Sequence, residues 1–235
     1  MTTPESEPLH RRWIEPNATL MTALATLLVA IGGLVEIAPM FAGAASDASA
    51  GIAPYTPLEL AGRDVYIREG CSVCHSQMVR PLRSETLRYG PWSRADEYQW
   101  DRPFLLGSRR IGPDLQRVGG KYPDAWHWEH LRDPRSTSPG SVMPTYGWLA
   151  RGRLDPADVT ASVVAQRRVG TPYTDEDVAG VPEALHQQGQ AIVDRLLPAG
   201  IQAAPDSEAV AVIAYLQRLG VDGRAELAQA EGGAP

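Results

Sequence analysis

Cys71, Cys74 and His75 lie in a single C-S-V-C-H run, and the chain has no other cysteine. Two thiols two residues apart, followed at once by a histidine, form the pattern for covalent attachment of a c-type haem. Each thiol would add across one haem vinyl group, and His75 would then place an imidazole nitrogen on the iron. Only a short turn reaches both edges of a porphyrin, so the run constrains the backbone as well as the chemistry. Two other uses of C-x-x-C compete with this one. A zinc site needs two further ligands. His10, His127, His130 and His186 could supply them, but none follows a second cysteine pair, and His127 and His130 are spaced slightly too tightly. A dithiol switch calls for a βαβ setting, and no strand-like apolar run flanks Cys71.

A haem takes a second axial ligand or leaves an open position. Met1, Met21 and Met40 belong to the N-terminal segment, and Met78 is too close to His75 to cross to the other face. Met143, in the proline-flanked loop S-V-M-P-T-Y, is the candidate; a gap-filling methionine is the alternative. Ile111-Gly112-Pro113-Asp114-Leu115 resembles the G-P-x-L motif of cytochromes c. There the proline carbonyl accepts a hydrogen bond from the second nitrogen of the haem histidine. Carried over, Pro113 orients His75 and raises its basicity; an ordinary turn is the alternative. Arg109 and Arg110, just before this motif, are candidate partners of the two haem propionates, with Arg80 and Arg83 as substitutes, because guanidinium groups pair carboxylates in a bidentate way. A solvated basic face is the competing reading.

From Asn17 to Ala45 the only charge is Glu36. About 20 apolar residues span a bilayer as a helix. Arg11 and Arg12 before the run, and Ala42-Gly43-Ala44 after it, also suit a cleaved signal. The length of the run and its polar leader favour a retained anchor. No Lys or Arg follows until Arg63, so the positive-inside rule places the N-terminus in the cytoplasm. Glu36 then falls close to the outer interface, where a carboxylate costs little. Residues beyond about 45 lie on the outer side, where bacteria attach c-type haem.

The expected organisation is a cytoplasmic leader over 1–16, an anchor over 17–44, a linker over 45–55, a haem domain over 56–220 and a flexible tail over 221–235. The fold class is mainly α. Thr56-Pro57-Leu58-Glu59 reads as a helix start, and Leu58, Ala61, Val65 and Tyr66 give it an apolar stripe that ends at Gly70. Asp206 or Ser207 starts a last helix carrying Val210, Ile213, Ala214 and Leu216, which ends at Gly220. Two such terminal helices resemble the class I cytochrome c fold, here with a long loop-rich insert from Gln77 to Val142. One short helix is expected in the insert, over Asp124 to Arg132. Its Arg, Trp and Tyr content suggests a docking surface, with Trp126 and Trp128 as anchors. Residues 76–135 hold eleven Lys/Arg against eight Asp/Glu, and 136–235 seven against twelve. The overall charge of -6 argues against nucleic acid as a partner.

The run from Glu69 to Pro81, E-G-C-S-V-C-H-S-Q-M-V-R-P, is similar to the monohaem subunit II of cbb3-type cytochrome c oxidases, the CcoO/FixO family. Further similar runs follow the same order: I-G-G-L-V-E-I at 31–37, G-R-D-V-Y-I-R-E-G at 62–70, E-T-L-R-Y-G at 85–90, G-S-R-R-I-G-P-D-L-Q-R-V-G-G at 107–120 and T-P-Y-T-D-E-D at 171–177. The resemblance covers roughly residues 10–220 and is weaker around 181–205.

It implies a haem-copper oxidase of the bacterial inner membrane that reduces dioxygen to water and pumps protons. This chain would be its electron-transfer subunit, with the haem domain in the periplasm and no oxygen-reducing site of its own. The partners implied are a catalytic haem-copper subunit, a dihaem cytochrome c subunit, a soluble cytochrome c as donor, and membrane lipid. The resemblance also implies a calcium ion at the boundary with the catalytic subunit, to which Ser108 would offer an oxygen. A membrane-tethered shuttle cytochrome and the small subunit of a nitric oxide reductase are the alternatives.

Overall fold

The structure, a computed structural model, describes residues 8–43, 51–107 and 109–225. It divides into two compact units, residues 1–48 and 49–235. The first holds helices α1 (Leu9–Trp13) and α2 (Ala18–Gly43). Asn17 Oδ1 accepts the Leu20 N–H at 3.0 Å, supplying one of the acceptors that a helix start needs. Within α2, the 21 residues Ala18–Ala38 have a mean hydropathy of 2.1, and none of their most apolar stretch is buried. At 1.5 Å per residue that is about 31 Å of helix, the thickness of a bilayer core. Leu28, Val29, Leu34 and Val35 are all exposed. A helix apolar all round and covered by nothing is long and apolar enough to cross a membrane.

The second unit contains α3 (Pro57–Arg68), α4 (Cys71–Cys74), α5 (Arg83–Tyr89), α6 (Asp124–Arg132), α7 (Pro134–Thr137), α8 (Pro156–Arg168), α9 (Asp175–Ala179), α10 (Val181–Leu196) and α11 (Glu208–Arg218). Single 3-10 turns occur at Ala95–Tyr98, Gly147–Ala150 and Leu197–Ala199. Among the described residues the β structure is one isolated bridge, Arg153 to Ser207. The expected mainly α class holds.

The two terminal helices form where the sequence marks them. Thr56 and Glu59 close a capping box around Pro57, with Glu59 Oε2 accepting the Thr56 N–H at 2.8 Å. Ser207 caps α11. The two helices make the most extensive contact in the molecule. Gly62 permits it, because a Cβ there would sit 1.9 Å from the Ala211 carbonyl oxygen. One turn on, the Tyr66 ring meets the Tyr215 ring edge-on at 5.3 Å. Leu58, Leu60 and Val65 on α3 and Val210, Ile213 and Leu216 on α11 are buried in this core. Burying each such side chain stabilises by roughly 1.5–3 kcal/mol.

Helices α8, α9 and α10 form a further layer that the sequence reading did not anticipate. Their starts are nevertheless written in it. Asp155 Oδ1 accepts the Ala157 N–H at 2.8 Å, ahead of Pro156, and Thr174 with Asp177 forms a capping box. On α10, Val181, Leu185, Gly189, Ile192, Val193 and Leu196 are buried at helical spacing. This helix packs on α3, α6, α8 and α11.

Three expectations change. The insert is held by ion pairs and hydrogen bonds within this chain, some of them from α3. Arg63, 1% exposed, donates from Nε to Asp101 Oδ1 at 3.2 Å and through its other nitrogens to the carbonyls of Arg102 and Pro103. Arg117 grips Glu97 with two bonds of 2.5 and 2.7 Å and reaches the carbonyls of Pro91 and Trp92. Loop carbonyls removed from water need donors, and a guanidinium supplies five. Trp128 is buried in the core and Trp126 stacks between two other rings, so neither is the surface anchor expected. The packed unit also outruns its expected limits. Ile52 is buried, the Ala53 N–H donates to Asp222 Oδ2 at 3.0 Å, and Arg224 donates to the Gly119 carbonyl at 2.6 Å. Residues 52, 53, 222 and 224, at the edges of the expected linker and tail, thus pack with this unit.

Candidate functional site

Behind α4 the second unit encloses a cavity of about 560 Å³, within the usual range for cofactor pockets. Cys71, Cys74, His75 and Met143 all line it, together with Pro113. Met78 does not line it. α4 is the single helical turn that places both thiols on the cavity wall. Gly70 precedes it as the N-cap, with a φ of 72°, the left-handed conformation that glycine adopts without strain. Both thiols are free. Burial, reinforced by the Glu69 charge, pushes Cys71 up to about 11, so it is a protonated thiol at neutral pH. A dithiol switch needs the opposite shift. Among the described residues, no three or more His, Cys, Asp or Glu side chains gather into a metal site.

His75 Nδ1 lies 2.9 Å from the Pro113 carbonyl oxygen. A carbonyl only accepts, so Nδ1 carries the proton and Nε2 keeps its lone pair. Burial lowers the affinity of the ring for a second proton, partly countered by the Pro113 bond. The imidazole is thus neutral and ready to bind a metal through Nε2. Gly112 makes room for it: a Cβ at that position would lie 2.3 Å from His75 Cε1.

The walls are apolar and aromatic. Tyr122, Trp126 and His130 stack in a row, with ring separations of 4.0 and 4.6 Å. His130 Nδ1 is 2.6 Å from Thr137 Oγ1. His127, 3% exposed, is driven down to about 4 by its burial. Its Nε2, like the Tyr66 hydroxyl, is buried on this wall without a hydrogen-bond partner. The sequence reading weighed His127 and His130 only as zinc ligands. Their spacing puts them on one face of α6, and only the packing of that helix turns the face toward the cavity.

The other candidates fall elsewhere. Arg109 is exposed, and Arg110 is held to Glu85 at 2.7 Å and to Ser76 Oγ at 2.6 Å; neither lines the cavity. The cations that do are Arg117, already bound to Glu97, and Lys121, over the Tyr122 ring. Ser108, the candidate calcium ligand, lies outside the described residues.

A helical shell around one cavity, walled by two thiols, a carbonyl-tied imidazole and a thioether, has the layout of a single-haem electron-transfer protein. Residues 11–222 match the family described as cytochrome c oxidase, mono-heme subunit/FixO. The chain belongs to that family, and with it come a haem cofactor and membership of an oxidase complex with partner subunits. No curated protein matches the sequence.

The residues present fit a haem. The cavity is large enough, its walls are mainly apolar, and Gly112 leaves space for the imidazole. Cys71 and Cys74 would hold the group, with His75 and Met143 on the iron. Bound there, it supplies one-electron redox chemistry.

Proposed function

We propose that this chain relays single electrons through one covalently held haem c to the catalytic subunit of a cbb3-type oxidase. That complex reduces oxygen to water and couples the reaction to proton pumping. The observation that carries the reading is the convergence of Cys71, Cys74, His75 and Met143 on one cavity. The chain's own residues divide the work. Cys71 and Cys74 fix the group. Pro113 fixes the imidazole tautomer and makes His75 a stronger donor. Met143 would offer its thioether to the iron, a ligand that favours electron transfer over oxygen binding and raises the potential. The apolar wall excludes water and so tunes the potential further.

In this reading α2 is a single-pass anchor in the bacterial inner membrane. Arg11 and Arg12 lie on the cytoplasmic side and the haem unit in the periplasm. A dihaem subunit or a soluble cytochrome c delivers the electrons. A calcium ion at the boundary with the catalytic subunit belongs to the same reading, with Ser108 as an oxygen ligand. The test is purification of the membrane complex through this chain, with a pyridine haemochrome spectrum. Covalent c haem together with b haem in a many-span partner supports the relay. Haem c with no b-haem partner would make the chain a tethered shuttle instead.

A further inference from the structure

Segments 74–78 and 110–116 run side by side and are stitched together. The N–H groups of Ile111 and Gly112 donate to the Cys74 carbonyl, at 2.9 and 3.0 Å, and the Leu115 N–H donates to the Ser76 carbonyl at 2.9 Å. The His75–Pro113 bond lies in the middle of this seam. Next to it sits the Asp114 side chain, fully buried. Its Oδ2 accepts from Ser76 Oγ at 2.7 Å and from the Met78 N–H at 2.8 Å. Its Oδ1 accepts from the Gln116 N–H at 2.9 Å. Arg110 backs the arrangement, donating from Nε to Ser76 Oγ at 2.6 Å and from Nη2 to the Met78 carbonyl at 2.8 Å. Glu85 in turn holds Arg110.

The Pro113 carbonyl belongs to the peptide unit that joins Pro113 to Asp114. That unit is planar, so fixing Asp114 fixes the direction of the carbonyl. Ser76 is the residue next to His75. One carboxylate therefore ties the neighbour of the acceptor to the neighbour of the donor. A buried carboxylate is costly unless its oxygens are satisfied. Here it accepts three short bonds, which makes it a rigid clamp and not a loose charge.

We propose that Asp114 is a positioning residue for the haem histidine. Its carboxylate locks the register of the two segments, holds the Pro113 carbonyl on His75 Nδ1–H, and so sets how strongly Nε2 donates to the iron. The inference rests on the reading of His75 as the iron ligand. Charge alone predicts something different. Removing a donor from Asp114 without changing any formal charge leaves the carboxylate less neutralised, which favours oxidised iron and lowers the potential. Loosening the clamp weakens the His75–Pro113 bond, makes the imidazole a poorer donor and raises the potential.

The experiment is a redox titration of the full-length, haem-matured chain in detergent, wild type against Ser76→Ala and Asp114→Asn, with NMR exchange of the His75 Nδ1 proton as a second readout. We expect covalent haem and intact methionine ligation in Ser76→Ala, an upward shift in potential, and faster proton exchange. Asp114→Asn should move both readouts further in the same directions. An unchanged or lowered potential with unchanged exchange in Ser76→Ala overturns the positioning role, whether or not Asp114→Asn folds. Absence of covalent haem from the wild type overturns the functional reading itself, a separate result.

Discussion

At the scale of single residues, the site depends on contacts with little room for change. Gly112→Ala would drive a carbon into the His75 ring, 2.3 Å from Cε1. The expected outcome is haem still attached at the two thiols but with His75 displaced, seen as loss of the low-spin spectrum. Met143→Ala should abolish the weak thioether-to-iron band at the red end of the spectrum and lower the potential. Persistence of that band would point to another methionine, with Met78 the first to test. His127 gives a pH prediction. Its folded pKa of about 4 lies below the ordinary 6.5 because the ring is buried. The unfolded chain therefore binds more protons between those values. Stability is fully present above about 6.5 and falls as pH drops toward 4, by roughly 3 kcal/mol at most. Burial shifts His130 in the same direction. Denaturant titrations at pH 7 and pH 5 should show the loss, and His127→Gln should reduce it. Cys71, Cys74, His75, Pro113 and Met143 could be singled out from the sequence by residue type and spacing, and the fold brings all five to one cavity. Asp114, Tyr66 and His127 could not, because each gains its role only from what packs beside it.

At the scale of elements, the crossing of α3 and α11 carries the haem-side wall, since Tyr66, Val212 and Leu216 all face the cavity. Gly62→Ala puts a methyl group 1.9 Å from the Ala211 oxygen, so the helices must separate. A loss of about 1–3 kcal/mol or more is expected from overpacking, measured as a fall in the unfolding midpoint. Arg63→Met should cost about 3–5 kcal/mol, since it leaves Asp101 buried with the Tyr55 hydroxyl but without its ion-pair partner. Arg63→Met with Asp101→Leu should recover much of that loss. Both terminal helices were legible because caps, proline and apolar spacing agree in them. The pattern of α8 is faint: it buries only Val159 and Val163 among thirteen residues. The insert has little periodicity at all. Its order comes from Arg63, Arg110 and Arg117 reaching carboxylates and carbonyls up to 40 positions away, and such pairings leave no local trace in a sequence.

At the scale of the whole chain, an apolar helix and a haem-binding unit must serve one oxidase subunit. The anchor reading predicts that mass spectrometry of the membrane-extracted chain finds residues preceding Ala44. Cleavage at that point would leave a soluble cytochrome. Trp92 and Phe104 on the insert are about half exposed, and Ile111 and Val142 at the cavity are more exposed still. They are among the exposed apolar residues that a partner subunit could cover, as Leu82 and Leu87 are, whereas Trp128 is buried. The most direct measurement is a denaturing gel of the purified chain stained for haem peroxidase activity, beside Cys71→Ala/Cys74→Ala. A haem-stained band at the chain's own mass of 25.4 kDa, absent from the double variant, is the predicted result. A colourless wild-type band from cells that mature other c-type cytochromes would contradict it.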